Sequence, residues 1–158
     1  MERVMFTEYP DIQRACLLSI YTGLRRSDIL ALNWQNVHIN SKKKSYINIV
    51  IQKTQATAKL PLSPAAIEIL GTPQKRGLVF PNLSEYKLGF YLPRLLKLAK
   101  IEKHITFHCF RHTFAMRLLE IGVDIYTIAT LLGHKSVTST QIYARLSPTQ
   151  IREAVMKL

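Results

Sequence analysis

The chain has little cysteine, few acidic residues and no long apolar run. Its two cysteines, Cys16 and Cys109, stand far apart with none of the paired spacing of a metal or redox site, which excludes a disulfide or zinc-stapled scaffold. Both read as reduced core thiols on helical segments, as expected of an intracellular protein. No apolar stretch approaches the length of a membrane span, and Met1-Glu2-Arg3 opens neither a signal peptide nor a transit peptide. The expectation is a cytoplasmic protein with no membrane partner. Repeats, low-complexity tracts and an interdomain linker are also missing.

What is present is a folded, basic chain. Its 158 residues suffice for one good core, and a hydrophobic fraction of 47% is that of a globular domain. Lys and Arg number 22 against 10 Asp and Glu, a formal net charge of +12. Such a surplus attracts polyanions through counterion release, nucleic acid first and an anionic membrane second. A generic basic surface would carry the same charge, so the motifs must decide.

Ile12, Ala15, Cys16, Ser19 and Ile20 recur at helical spacing from about Thr7, and Gly23 supplies the stop. A short helix through Asp28-Leu32, bounded by Asn33 and anchored by Trp34, follows, so Arg25 is mounted between two packed elements. Tyr46-Ile51 is β-branched and largely alternating, with Val37-Ile39 and Ala58-Leu62 as candidate partners in a small antiparallel sheet. Lys53 falls at or near the hairpin tip. Ser63-Pro64 reads as a cap and first turn of a helix ending at Gly71. A longer helix is expected from about Ser84 to Lys100, kinked or broken at Pro93, with Arg94, Lys97 and Lys100 as a basic stripe suited to a DNA groove or backbone.

The last third is helical again. Thr106 is a candidate cap, and Phe107, Phe110, Phe114 and Leu118 form the expected apolar stripe up to Gly122. His108 and Arg111, three apart, share a face on which both could touch one phosphate, with the phenylalanines turned into the core. His112, four residues after His108, invites a zinc reading, but Cys109 stands where a zinc protease needs glutamate. Asp124 caps a helix ended by Gly133, which projects His134; Ser136 and Ser147-Pro148 would cap two further helices, the first carrying Tyr143.

The segments Thr22-Gly23-Leu24-Arg25-Arg26-Ser27-Asp28, His108-Cys109-Phe110-Arg111-His112, Leu131-Leu132-Gly133-His134 and Thr140-Gln141-Ile142-Tyr143 together resemble the catalytic domain of the tyrosine recombinases, the phage-integrase family. Four motifs in the family's order cover nearly the whole chain. The resemblance implies an α+β, mostly helical fold, with a small antiparallel three-stranded sheet on one edge. It implies DNA strand cleavage and rejoining through a 3′-phosphotyrosine, with no metal, cofactor or ATP.

The resemblance also implies the roles. Arg25 and Arg111 would grip the scissile phosphate, His134 would donate to it or orient the nucleophile, and Tyr143 would attack. His108 would move the tyrosine proton. Lys53 would protonate the leaving 5′-oxygen, with Lys59 or one of Lys42, Lys43 and Lys44 as alternatives. Asp28, where the family often has glutamate, would support Arg25. The implied partners are double-stranded DNA and further recombinase subunits, a tetramer on DNA formed from monomers.

Residues 1–158 would then be a catalytic domain without the usual amino-terminal core-binding domain, expected to bind DNA weakly and with strong salt dependence. The helix expected over 147–158 has one apolar face, for packing on its own domain or for exchange between subunits. A type IB topoisomerase and a catalytically silent DNA-binding regulator are the competing functions.

Overall fold

The computed structural model describes residues 10–40, 44–51 and 56–133. The chain divides into two compact units, residues 1–114 and 115–158.

The first unit is built on α1, Pro10–Thr22, whose buried Ile12, Ala15, Cys16, Leu18 and Ser19 follow the helical period read from the sequence. Burial in this apolar wall pushes the Cys16 thiol up to about 12, so it stays protonated and inert. Cys109 differs from the expectation of a core thiol: it is half-buried, its sulfur 3.4 Å from the Thr106 backbone N–H. Gly23 ends α1 with φ 69°, a left-handed conformation that costs a glycine nothing, and its N–H donates to the Ser19 carbonyl at 2.8 Å.

Next come α2, Arg26–Leu30, and a 3₁₀ turn, Trp34–Asn36, capped by the Asn33 side chain. Strands β1, Val37–His38, β2, Tyr46–Ile51, and β3, Ala56–Pro61, form an antiparallel sheet in the order β1-β2-β3, so the expected three-stranded sheet is present. The register pairs Ile47 with Leu60, both buried, which sets one face of the sheet on the core. The third strand starts two residues earlier than the alternation suggested.

Helix α3, Pro64–Leu70, has the expected Ser63 cap, with Pro64 in the first turn and Gly71 at the end. It packs on α1. Arg14 of α1 locks that contact, donating from Nε to the Ile69 carbonyl at 3.0 Å and from Nη2 to the Leu70 carbonyl at 2.5 Å. These are carbonyls that a helix end leaves without partners. The same guanidinium lies 5.4 Å from the centre of the buried Phe80 ring.

Helix α4, Glu85–Leu98, runs through Pro93 and buries Leu88, Leu92, Leu95 and Leu96 against the core. Of the two outcomes expected at Pro93, a kink or a break, the break does not occur: the helix continues through it, without a proline donor for the Gly89 carbonyl. The expected basic stripe is not continuous. Lys100 lies beyond the helix end at φ 57°, and Arg94 folds back, its guanidinium 3.4 Å from the Phe90 ring centre and donating to the Phe90 carbonyl at 2.6 Å.

Helix α5, Phe107–Glu120, contains the unit boundary. In the second unit, Gly122 at φ 85° ends α5, and α6, Ile125–Leu131, begins at an Asp124 cap that accepts from the Tyr126 and Thr127 N–H groups, both at 3.0 Å. The Thr127 hydroxyl, before those amides, holds the Asp124 carboxyl below its usual range. Gly133, φ 59°, closes α6 as expected.

Candidate active site

The turn after α1 is fixed by buried hydroxyls. Ser19 Oγ donates to the Leu24 carbonyl at 2.9 Å, and Thr22 Oγ1 donates to the Leu18 carbonyl at 2.5 Å while accepting from the Leu24 N–H at 3.4 Å. Both residues are almost fully buried, so each bond satisfies a group that water cannot reach. Asp28 completes the mount by accepting the Arg25 backbone N–H at 3.0 Å. Aspartate reaches because Asp28 sits in the first turn of α2 and Arg25 is its cap residue. The expectation that Asp28 supports Arg25 thus has a definite geometry: the carboxylate holds the backbone.

Arg111 approaches the same turn from α5. It is 4% exposed, and its Nη1 donates to the Gly23 carbonyl at 2.5 Å. That carbonyl immediately precedes the one Ser19 holds, and only Leu24 lies between Gly23 and Arg25. This corrects the reading of α5: Phe107, Arg111 and Ala115 are its buried line, whereas Phe110 and Phe114 are only half-buried. Arg111 therefore occupies a core position, while still lining one cleft with His108 as their spacing suggested. Burial of the arginine is offset in part because the Gly23 carbonyl accepts a hydrogen bond from it.

Arg25, Arg26, Ser27, Thr106, His108 and Arg111 line one cleft of about 370 Å³. His108 is exposed, but partial desolvation, then the charges of Arg111, His112 and Arg25, hold its pKa below the ordinary imidazole value. The imidazole is accordingly neutral at pH 7 and able to accept a proton. Replacing Arg25 with glutamine is expected to raise the His108 pKa toward about 6.5, read by NMR titration of the ring protons. An unchanged or lowered value would mean that the two side chains do not share the cleft. Because the folded value is depressed, what little stability this exposed group contributes is present above about pH 6.5 and lost as pH falls through the folded pKa.

Of the residues anticipated from the motifs, Arg25, Asp28, His108 and Arg111 come together here. Lys53 belongs to segment 52–55, between the paired Ile51 and Ala56, and lies outside the described residues, as do His134, Tyr143 and the helix expected over 147–158. Among the alternatives to Lys53, Lys42 and Lys43 also lie outside them; Lys59 is on β3 with its ammonium 4.8 Å from the Tyr46 ring centre.

Three residues had been given no part in the site. Ser19 and Thr22 build the Arg25 mount; a serine in the apolar phase of α1 was the readable sign. Arg26 lines the cleft and pairs with Glu85 at the start of α4. Both partners of that pair are well exposed, which limits its contribution to about 0–1 kcal/mol.

A mostly helical α+β domain thus brings three arginines and an imidazole to one cleft, groups of the kind that can donate to a phosphate. The chain belongs to the phage integrase family, whose model matches residues 6–150. It is 35% identical over 144 residues to the tyrosine recombinase XerC of Rickettsia canadensis, covering 85% of this chain and 47% of that protein. The chain spans about half the length of the curated relatives it matches.

Its fold is that of the XerH site-specific recombinase solved with its difH substrate (TM-score 0.74, 22% identity, 98% of this chain and 48% of that one). It is also that of the catalytic domain of bacteriophage HP1 integrase (TM-score 0.66, 24% identity, 96% of this chain and 93% of that one).

Proposed function

We propose that this chain is the catalytic domain of a site-specific DNA recombinase or integrase. The observation that carries the reading is the Arg111–Gly23 bond, which draws the Arg111 guanidinium to the turn bearing Arg25, beside His108. In the reaction, Tyr143 Oη attacks a DNA phosphorus and His108 takes the phenolic proton. The bond to the 5′-oxygen breaks, and Lys53 supplies the proton that makes it a hydroxyl. Arg25, Arg111 and His134 stabilise the charge that builds on the nonbridging oxygens. The phosphotyrosine conserves the bond, so a 5′-hydroxyl from a second strand reverses the step on a new partner without ATP.

The substrate in this reading is double-stranded DNA. A net charge of +12 supports it, as does the relative solved with its difH substrate. Assembly runs from monomers to a tetramer on DNA, with the segment 147–158 exchanged between subunits or packed on its own domain. The site of action is the cytoplasm; among the described residues no helix is long and apolar enough to cross a membrane.

The test is incubation with nicked suicide duplexes, from which the released 5′ fragment diffuses away. A detergent-resistant DNA adduct is expected, mapping by peptide mass spectrometry to Tyr143. Failure on every substrate, even at high protein concentration, would favour a silent DNA-binding regulator. Relaxation of supercoiled plasmid without recombinant products would favour a topoisomerase.

A further inference from the structure

Arg26 has no role in the reaction as written, yet its side chain lines the cleft alongside Arg25 and Arg111. Three guanidiniums around one cleft repel one another unless a countercharge is near. Asp28, the nearest acid in sequence, is engaged by the Arg25 backbone. The countercharge comes instead from Glu85, the first residue of α4, which pairs with Arg26 across 59 positions of sequence.

Several features suit that pair to exchange. The side chains are 50% and 68% exposed, so neither ion was desolvated to form it and either can be released into water at little cost. Glu85 lies in the first turn of a 14-residue helix, where the helix dipole favours a carboxylate whether or not Arg26 stays. Arg26 lines the cleft together with two other guanidiniums, so its charge gains from an anion brought there. A DNA phosphate is such an anion and offers the fork two oxygens.

We propose that Glu85 stands in for a DNA phosphate in the free protein, and that Arg26 leaves it to grip a backbone phosphate of the bound duplex beside the scissile one. This rests on the reading of the cleft as a DNA phosphodiester site. It makes Arg26 a substrate-binding residue and Glu85 a competitor that DNA must displace.

The experiment is fluorescence anisotropy of a short random-sequence duplex titrated with the full chain at several salt concentrations. Arg26→Gln is expected to weaken binding and to flatten the slope of log affinity against log salt by about one, the signature of one lost phosphate contact. Glu85→Gln is expected to tighten binding roughly two- to fivefold, the worth of the exposed pair. In the Arg26→Gln background, Glu85→Gln should give no gain. Glu68→Gln, an exposed acid on α3, measures the effect of charge alone.

An unchanged salt slope in a folded Arg26→Gln protein overturns the proposal. So does a Glu85→Gln gain that persists without Arg26 or merely equals that of Glu68→Gln. Adduct formation by the unsubstituted chain is scored separately. Its absence would overturn the recombinase reading, while the salt slopes alone decide the exchange.

Discussion

Arg111→Ala is expected to slow formation of the covalent DNA adduct by two to three orders of magnitude, about 3–4 kcal/mol of transition-state stabilisation, by analogy with the loss of an oxyanion donor. Attack on a phosphodiester concentrates negative charge on the nonbridging oxygens, and a planar fork answers two of them at once. The structure adds a second consequence. The Gly23 carbonyl would lose its donor in a buried setting, costing about 1–3 kcal/mol of folding stability and loosening the turn that presents Arg25. Single-turnover adduct assays beside urea denaturation separate the two effects. Arg111→Lys keeps the charge but not the fork, so it should recover more stability than activity. A folded Arg111→Ala protein that forms adduct at the unsubstituted rate would remove Arg111 from the mechanism.

Phe80→Ala is expected to destabilise the protein by about 3–5 kcal/mol, measured as a fall in urea midpoint at unchanged slope. Phe80 is 1% exposed, and the Arg14 guanidinium rests over its ring while holding the last carbonyls of α3. Removing the ring leaves a cavity and takes the platform from the residue that ties α1 to α3. Domains of this size have only about 5–15 kcal/mol in hand, so the loss is a large fraction of the whole. Phe80→Leu, which keeps much of the apolar volume, should cost less. Equal costs for the two would place the loss in ring contacts and not in the cavity.

The elements that the sequence announced clearly were those whose signals are local. The Ser63-Pro64 start, the Gly23, Gly71 and Gly122 stops and the Asp124 cap each depend on one residue's own conformation or side-chain reach, and each stands where expected. The three strands were legible from β-branching, though the start of β3 was not, since Ala56 carries little strand preference and Thr57 ends a mostly polar run of sequence. Fold class and family followed from motifs that survive at fixed spacing.

What stayed hidden depends on long-range packing. Periodicity sorts α5 by hydrophobicity and so assigns its phenylalanines to the core and Arg111 to the surface. The carbonyl of Gly23, 88 residues away in sequence, helps make burial of a guanidinium acceptable there. The Arg26–Glu85 pair is likewise invisible to any pattern confined to one helix. Pro93 left a kink and a break both open, because a proline lacks the helix donor wherever it stands and no local signal says that the buried leucines on both sides carry the helix past it.

The bond between Arg111 and Gly23 bears also on when disorder is given up. A free arginine side chain has up to about 2 kcal/mol of rotamer entropy to lose when it settles on a ligand. Here the core and the carbonyl have already confined that side chain, so the loss falls at folding, before any phosphate arrives. Ligand binding at this position therefore starts from a guanidinium already in place, and the strength of the grip is tied to the integrity of the fold behind it.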